Sequence, residues 1–358
     1  MDNNEKLFVK RNKKGSTSNY ISTIAVVSKP LDIIIASELL YKLNIKSNNV
    51  LWVSYRHAKK PAKMAAKYFN NNLTKNVVYL PYPLITHLFY VTQLISIRYI
   101  GRVLKKLISF LAYPWWWLAY FYSKHKLRKL ITEDIKYYMA APIAPKLLYA
   151  SIFRPEYLYL FDGGHSTISR GFLDTFFNDG PEALLKKALK WRSLYLPDLI
   201  KKRILTSATK NILFFTSYTE KKAGSVIHND YNLLKTKLAA KKVEKHVIIL
   251  GFPAIKNYSI LNERIVKLKT FLISTGIEKI SYKPHPRELA PYKLPTELEE
   301  YNISIIDYYG SIEFYILETK ILPEYIIGYD SSALSVFEKL LKGKVKIINL
   351  SYTEPKNT

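Results

Sequence analysis

The sequence predicts an α/β protein made of two Rossmann-like, doubly wound domains. The chain has 358 residues, 48% of them hydrophobic, which is enough for about two domains with buried cores. Short apolar runs alternate with longer helix-type stretches, the pattern of parallel α/β sheets. This alternation occurs twice, first from Thr23 and again from about Asn211. We therefore expect two successive sheets of parallel strands.

The first series opens with the candidate strand Thr23 to Val27, followed after Pro30 by a helical stretch from Leu31 to Leu43. A second helix is predicted from Pro61 to Phe69. The other strands predicted for this series are Val50 to Ser54, Val77 to Leu80 and Tyr157 to Phe161. All are apolar enough for strands buried on both faces of a sheet.

The second series has six candidate strands, which are Ile212 to Phe215, Val247 to Leu250, Ile280 to Lys283, Ile303 to Ile306, Tyr325 to Gly328 and Val345 to Leu350. We place the domain boundary near residue 205, which predicts a first domain over residues 19–204 and a second over residues 205–358. Residues 1–18 are predicted to be a flexible basic tail. No apolar region follows their charges, as a secretory signal would require.

The composition limits the kinds of partner. Lys and Arg number 55 against 28 Asp and Glu, a formal charge of +27, which predicts a polyanionic partner or an anionic surface. The absence of cysteine excludes disulfides, thiolate nucleophiles and cysteine-based zinc sites, and favours a reducing, cytoplasmic compartment. The 29 Tyr, 16 Phe and 5 Trp suit sugar stacking, base stacking and a membrane interface equally well.

The first domain contains an apolar and basic insertion over residues 77–130. Three consecutive tryptophans, Trp115 to Trp117, lie beside clustered Lys and Arg. Pro81, Pro83 and Pro114 interrupt the two apolar runs, which argues against a transmembrane span. Buried or oligomer-interface helices are a second interpretation. The pattern favours a third, a patch that lies on an anionic membrane surface.

The segment Tyr282 to Glu288, Tyr-Lys-Pro-His-Pro-Arg-Glu, directly follows a predicted strand. Two prolines flank His285 and fix the loop. The imidazole therefore lies in a rigid setting between Lys283 and Arg287, an arrangement that binds anions. The alternative is an ordinary solvated histidine.

Gly328-Tyr329-Asp330-Ser331-Ser332 lies at the end of another predicted strand and opens a helical run. Hydroxyl groups and free backbone N–H groups at a helix start form a phosphate site. Plain N-capping by Asp330 or Ser331 is the alternative. If both motifs lie on adjacent strand ends, they converge on one anion.

Asp162-Gly163-Gly164-His165 follows a strand of the first domain. An aspartate at a strand's carboxyl end, before two glycines that allow close backbone approach, can act as a general base. A turn aspartate is the alternative. The sequence has no P-loop, no Gly-x-Gly-x-x-Gly, no Gly-x-Ser-x-Gly and no Asp-x-Asp pair, so the usual motifs for triphosphates, dinucleotides, serine hydrolysis and metal-bound diphosphates are absent.

The order of the Asp-Gly, His-Pro and Ser-Ser motifs resembles that in bacterial sialyltransferases of the GT-B fold. The resemblance is greatest to the lipooligosaccharide sialyltransferases of glycosyltransferase family 52 and to the bacterial polysialyltransferases. It extends from about Thr23 to Leu350, and the segment Ala25 to Leu31 resembles the family's first βα unit. It implies two domains facing a cleft and inverting, metal-independent transfer of sialic acid from CMP-sialic acid to lipooligosaccharide, O-antigen or capsule. No cofactor is implied.

The resemblance also assigns roles to residues. It makes Asp162 the general base, His285 a ligand of the donor phosphate, and Glu313 the acid that binds the ribose hydroxyls. The remaining donor contacts that it implies are Ser331 and Ser332 at the phosphate and Gly251, Phe252 and Pro253 at the cytosine. Lys283, beside His285, is a further candidate for the donor site because of its charge. The family has two acids before the glycine, whereas Phe161 takes the first place here. His165 is therefore the substitute candidate for the base.

Four further functions stay open at this point. Two are enzymes, namely a polysialyltransferase that extends a capsular sialic acid polymer and a GT-B enzyme with another donor sugar. The other two, from different classes, are a nucleic-acid-binding protein and a purely structural membrane-surface protein. The favoured partners are a CMP-sugar donor, a glycan acceptor that can be lipid-linked, and an anionic membrane surface, with homodimerisation left open and nucleic acid excluded. The predicted location is cytoplasmic, peripheral on the inner face of the cytoplasmic membrane.

Overall fold

The computed structural model describes residues 20–28, 30–55, 77–80, 114–131, 134–161, 171–190, 197–208, 211–217, 224–251, 258–285, 298–308, 311–329 and 331–351. Within these residues the chain forms two parallel β-sheets with helices packed on them. The predicted α/β fold class with two Rossmann-like, helix-flanked sheets is confirmed.

The first sheet has seven parallel strands in the order β3-β2-β1-β4-β5-β6-β7. They are β1 (Thr23–Val26), β2 (Val50–Tyr55), β3 (Val77–Leu80), β4 (Tyr137–Ala140), β5 (Tyr157–Phe161), β6 (Ile212–Thr216) and β7 (Val226–His228). The chain moves outward from β1 to β3 and then returns to the other side of β1 with β4. Such a reversal is the switch point of a doubly wound sheet.

The second sheet has five parallel strands in the order β10-β9-β8-β11-β12. They are β8 (Lys242–Leu250), β9 (Ile280–Lys283), β10 (Ile303–Ile305), β11 (Ile321–Gly328) and β12 (Lys346–Asn349). Its switch point lies between β8 and β11. Both sheets thus have the topology that places ligands at the carboxyl ends of the strands.

The helices pack on these sheets. They are α1 (Pro30–Lys42), α2 (residues 114–128), α3 (Ala144–Leu147), α4 (Ala150–Phe153), α5 (Phe172–Lys190), α6 (Asp198–Ala208), α7 (Asn232–Leu238), α8 (Tyr258–Thr275), α9 (Ile312–Glu318) and α10 (Ser332–Leu340). Helix α5 is broken at Gly180, whose φ is 86°, and Pro181 then starts its second half because proline suits a first helical position. None of the helices in the described part of the chain is long and apolar enough to cross a bilayer.

Alternate residues of the first sheet belong to different cores, as the two-residue period of a strand requires. Ala25, Met139 and Tyr159 pack on the face that carries α1. Ile24 and Tyr138, on the other face, pack against α2 and the helices that follow β5. Both faces are covered, which explains why the strands are apolar without alternation.

Helix α7 connects the two sheets. It packs between α1 and α9, and its backbone N–H groups at Leu233 and Leu234 donate to the Glu38 carboxylate at 3.1 and 2.8 Å. At its other end, Lys344 donates to the carbonyl of Leu238 at 3.3 Å. Burial raises the pKa of the Glu38 carboxyl, and the two backbone hydrogen bonds lower it. One hydrophobic cluster therefore runs from the first sheet to the second.

The predicted division of the strands between the two sheets is wrong at one point. Ile212 to Phe215 was expected to open the second domain, but β6 pairs with β5, with Leu158 opposite Ile212. The first sheet continues to His228, so the expected boundary near residue 205 falls inside its domain. An apolar run shows that a strand is buried and does not show which sheet buries it.

Other expectations have mixed outcomes. The strand at Val77–Leu80 is confirmed, and the sequence analysis missed β4 and β7. The tail at residues 1–18, the helix at Pro61 to Phe69 and most of the insertion lie outside the described residues.

Candidate functional site

Three adjacent strands bring the sequence motifs of the second domain to one edge. β9, β8 and β11 are neighbours and all parallel, so their carboxyl ends lie side by side. Leu250 pairs with Lys283, and the N–H of Gly251 donates to the carbonyl of Lys283 at 2.8 Å. The loops that begin at Gly251, at Pro284 and at Tyr329 therefore leave the sheet together.

Gly328 permits the close approach of this edge to α10. A Cβ atom at this position would lie 3.2 Å from Leu250 Cβ and 3.4 Å from Leu334 Cδ1. The first distance is shorter than an ordinary carbon–carbon contact, and the second is at the lower limit of one. The absence of a side chain therefore allows the end of β11 to pack against the end of β8 and the first turn of α10.

Ser331 is the N-cap of α10. It is half-buried and extended, and its Oγ accepts a hydrogen bond from the N–H of Ala333 at 3.3 Å. The capping role left open in the sequence analysis is thus observed. Capping uses an oxygen lone pair, so the hydroxyl proton can still be donated to an anion. Ser332 is the first residue of the helix, where unpaired N–H groups make the potential positive.

His285 lies two residues beyond β9, after the buried Pro284. His285 and Lys283 are both half-buried. Their strand is the direct neighbour of β8, and β8 in turn is the neighbour of β11. A cation, an imidazole and a helix start are therefore arranged along one sheet edge, and together these groups can neutralise a single phosphate.

Glu313 lies in the first turn of α9, which follows the edge strand β10. Its side chain is only 6% exposed. Burial raises the pKa of its carboxyl, while hydrogen bonding to the backbone lowers it. A carboxyl group in this position can accept hydrogen bonds from hydroxyl groups that reach the edge beside β9.

Several predicted site residues lie outside the described residues. These are Asp162 and His165 in the first domain and Phe252 and Pro253 in the second. The strand before Asp162 is described: β5 ends at the fully buried Phe161, between β4 and β6. Asp162 therefore directly follows the carboxyl end of a central strand.

A buried polar cluster that no sequence motif indicates lies at the carboxyl ends of β1 and β4. Lys146 Nζ lies 2.5 Å from Asp32 Oδ2, and each side chain is 2% exposed. Asp32 also accepts hydrogen bonds from the N–H and Oγ of Ser28, at 2.7 and 3.1 Å. No pattern in the sequence connects positions 114 residues apart. Since β4 adjoins β5, this cluster lies at the same edge of the sheet as the carboxyl end of β5.

Comparisons with known proteins give likenesses to solved structures. No protein-family model matches the chain, and no curated protein matches it. A protein from Listeria monocytogenes, whose proposed identity is UDP-N-acetylglucosamine 2-epimerase, is 8% identical, with a TM-score of 0.47, over 92% of this chain and 79% of its own.

Two glycosyltransferases have similar sequence identities and TM-scores to this chain. SnogD from Streptomyces nogalater is 12% identical, with a TM-score of 0.45, over 92% of this chain and 81% of its own. The heptosyltransferase WaaC of E. coli is 10% identical, with a TM-score of 0.38, over 94% of this chain and 90% of its own. None of these likenesses assigns an activity to the chain.

Proposed function

We propose that this protein is an inverting, metal-independent sialyltransferase that moves sialic acid from CMP-sialic acid to a bacterial surface glycan. The observation that carries the proposal is the convergence of Gly251, His285 and Ser331 at the carboxyl ends of β8, β9 and β11. The sequence resembles GT-B sialyltransferases in the order of its Asp-Gly, His-Pro and Ser-Ser motifs, and His285 and Ser331 belong to the second and third of these. Asp162, at the end of β5, completes the set in the other domain.

The donor chemistry matches these groups. CMP carries one phosphate, and the oxygen that leaves the sugar gains about one unit of negative charge. The imidazole of His285, the hydroxyl of Ser331 and the N-terminus of α10 can stabilise that charge. The sequence has no Asp-x-Asp motif, and a single phosphate with these partners needs no divalent cation.

The transfer step is a single displacement. The acceptor hydroxyl attacks the anomeric carbon on the face opposite the phosphate, the bond from that carbon to the phosphate oxygen breaks, and Asp162 takes the hydroxyl proton. Sialic acid is thereby joined to the acceptor and CMP leaves. Closure of the two domains brings the base toward the donor.

The acceptor is proposed to be a lipooligosaccharide, an O-antigen or a capsular chain, and the enzyme to act on the inner face of the cytoplasmic membrane. Helix α2 supports this location because its outward face exposes Trp115, Leu118, Phe121 and Tyr122. Tryptophan and tyrosine are the side chains that favour a membrane interface.

A donor and acceptor panel tests the proposal. CMP-sialic acid and UDP-sugars are offered in turn with galactosides, lipooligosaccharide and sialic acid oligomers, and nucleotide release is followed. We expect nucleotide release only when CMP-sialic acid is the donor. Long products from sialic acid oligomers would indicate a polysialyltransferase, whereas turnover of UDP-sugars would contradict the proposed donor.

A further inference from the structure

A cavity of about 860 Å³ lies at the edge of the first sheet opposite Asp162. It is lined by residues that precede three adjacent strands: Tyr20 before β1, Lys136 before β4 and Glu156 before β5. The strands are parallel, so these are their amino ends. The cavity is therefore remote from the carboxyl edge at which transfer is proposed.

The cavity is strongly basic. Five cationic side chains line it, from α2, α6 and the strand-leading loops, namely Lys124, Arg128, Lys136, Arg154 and Arg203. Among the lining residues that the structure describes, only two are acidic, Asp134 and Glu156. In the part of the chain that the structure describes, none of the five cations lies within 4.0 Å of a carboxylate. A site with this excess of positive charge has the chemistry to bind phosphate.

Two of the arginines that line the cavity, Arg203 and Arg154, have defined contacts. The guanidinium of Arg203 donates to Tyr120 Oη at 3.3 Å and lies over the Tyr120 ring, 6.0 Å from its centroid. Tyr120 is itself 2% exposed. Arg154 follows α4 with a positive φ of 48° and closes that helix with a hydrogen bond to the carbonyl of Ala150. The contacts with Tyr120 fix the guanidinium of Arg203, and the backbone hydrogen bond fixes the main chain at Arg154.

Helix α2 joins the cavity to an exposed apolar face. Its inner side is buried at Trp116, Tyr120 and Leu127, and Lys124 and Arg128 extend from the side that lines the cavity. On the outer side, Trp115, Leu118 and Phe121 are 55%, 58% and 55% exposed. One helix therefore presents a row of large apolar side chains directly beside a basic pocket.

We propose that this pocket binds the phosphate headgroup of an anionic phospholipid while the outer face of α2 enters the membrane interface. Apolar side chains beside a polar, cationic site are the pattern of helices that lie in a membrane surface. A soluble anion would explain the pocket but would leave Trp115, Leu118 and Phe121 exposed to water. This inference rests on the membrane location proposed above and adds the site that recognises the lipid.

The geometry separates this pocket from the glycan acceptor. An acceptor hydroxyl must reach the carboxyl end of β5, whereas the pocket lies at the amino end of the same strand. A phospholipid held there would orient the first domain on the membrane and leave its carboxyl edge accessible to a glycan.

Vesicle flotation tests the inference. The full chain is mixed with vesicles of phosphatidylcholine alone or with added phosphatidylglycerol. The pocket variant is Lys124→Gln/Arg128→Gln, and the matched control Lys339→Gln/Lys342→Gln removes two exposed charges from the second domain. Each Lys or Arg near an anionic surface contributes about 1 kcal/mol, so we expect the pocket variant to bind about 30-fold more weakly. The control should bind much like the wild type.

Three other results of this experiment would contradict the inference. If the wild type binds neither kind of vesicle, the membrane location and the pocket inference both fail, and CMP affinity measured on the same sample still reports on the donor site. If the pocket variant and the wild type bind phosphatidylglycerol equally, only the pocket inference fails. If millimolar glycerol phosphate releases the protein completely, the pocket is a site for a free phosphate and the lipid assignment is wrong.

A third variant, Trp115→Ser/Phe121→Ser, tests the apolar face. Burial of these side chains is not screened by salt, unlike the attraction of the cations. We expect high salt to release only part of the wild type and all of this variant. Equal release of both would show that α2 does not enter the interface.

Discussion

Lys146 and Asp32 form a buried ion pair, 2.5 Å between Nζ and Oδ2, that joins the carboxyl end of β4 to the first turn of α1. Both side chains are 2% exposed, so neither charge is stabilised by water. Lys146 lies in α3, which follows β4, and β4 is the direct neighbour of β5. The pair therefore ties α3 to α1 at the carboxyl edge of the first sheet.

Lys146→Met should lower the free energy of unfolding by about 3–5 kcal/mol, because it leaves the charge of Asp32 buried without its cation. The matched control is Lys186→Met, whose partner Glu182 lies at 2.8 Å with both side chains 56% exposed. Exposed pairs contribute at most about 1 kcal/mol. Urea unfolding measures both changes, and equal losses would show that the buried pair has no special role.

Gly328→Ala should reduce both stability and CMP affinity. The new Cβ would meet Leu250 and Leu334, and overpacking of this kind costs about 1–3 kcal/mol. Gly224→Ala is the control, because nothing lies within 4 Å of its added Cβ. Calorimetric titration with CMP and thermal unfolding of both variants check this. Unchanged CMP affinity in Gly328→Ala would mean that the ends of β8 and β11 do not shape the donor site.

His285→Ala and Ser331→Ala should each weaken CMP binding about tenfold or more while leaving cytidine binding unchanged, since both residues are proposed to contact only the phosphate. Ser335→Ala, a half-buried serine one turn further along α10, is the matched control and should bind CMP normally. Calorimetry with both ligands measures the difference. Parallel losses for CMP and cytidine would indicate a general distortion instead of a lost phosphate contact.

Glu313→Gln should change the pH dependence of stability. Burial raises the pKa of Glu313 above its ordinary value of 4.5, so the folded protein binds this proton more tightly than the unfolded chain does. Its contribution is complete below pH 4.5 and is lost as the pH rises through the raised pKa. The permanently neutral glutamine avoids this loss, so the variant should gain stability relative to the wild type as the pH rises.

Chemical unfolding of both proteins at about pH 4 and pH 7.5 measures this difference. Glu338→Gln, which removes an exposed carboxyl, serves as the control. A difference between wild type and Glu313→Gln that stays constant over the whole range would contradict the buried position of Glu313.

All five strands of the second sheet were predictable because each contains a short apolar run, and three of them, β8, β9 and β11, are followed by a motif. β4 has only four residues and was missed, because the pairing with β1 and β5 that makes it a strand acts at long range and leaves no local signal. β6 was predicted as a strand and given to the wrong sheet. Its neighbour is chosen by contacts such as the pairing of Phe161 with Phe215, which act at long range and leave no local signal.

The edge that gathers the motifs of the second domain was predictable for a physical reason. Parallel strands place all their carboxyl ends on one side, so motifs that follow the strands must converge. No such rule predicts the ion pair of Asp32 with Lys146 or the basic cavity at the opposite edge of the sheet. Their residues come from separate loops and helices, and only the folded chain brings them together.

The most direct test of the central claim is release of CMP from CMP-sialic acid in the presence of EDTA, measured for the wild type and for Asp162→Asn with an accepted glycan. We expect the wild type to turn over without metal and the variant to lose about 10² or more in kcat with CMP affinity nearly unchanged, because a general base acts only in the transition state. Undiminished turnover in Asp162→Asn would move the role of base to His165. Wild-type activity that disappears with EDTA and returns only with a divalent cation would contradict the proposed metal-independent transfer.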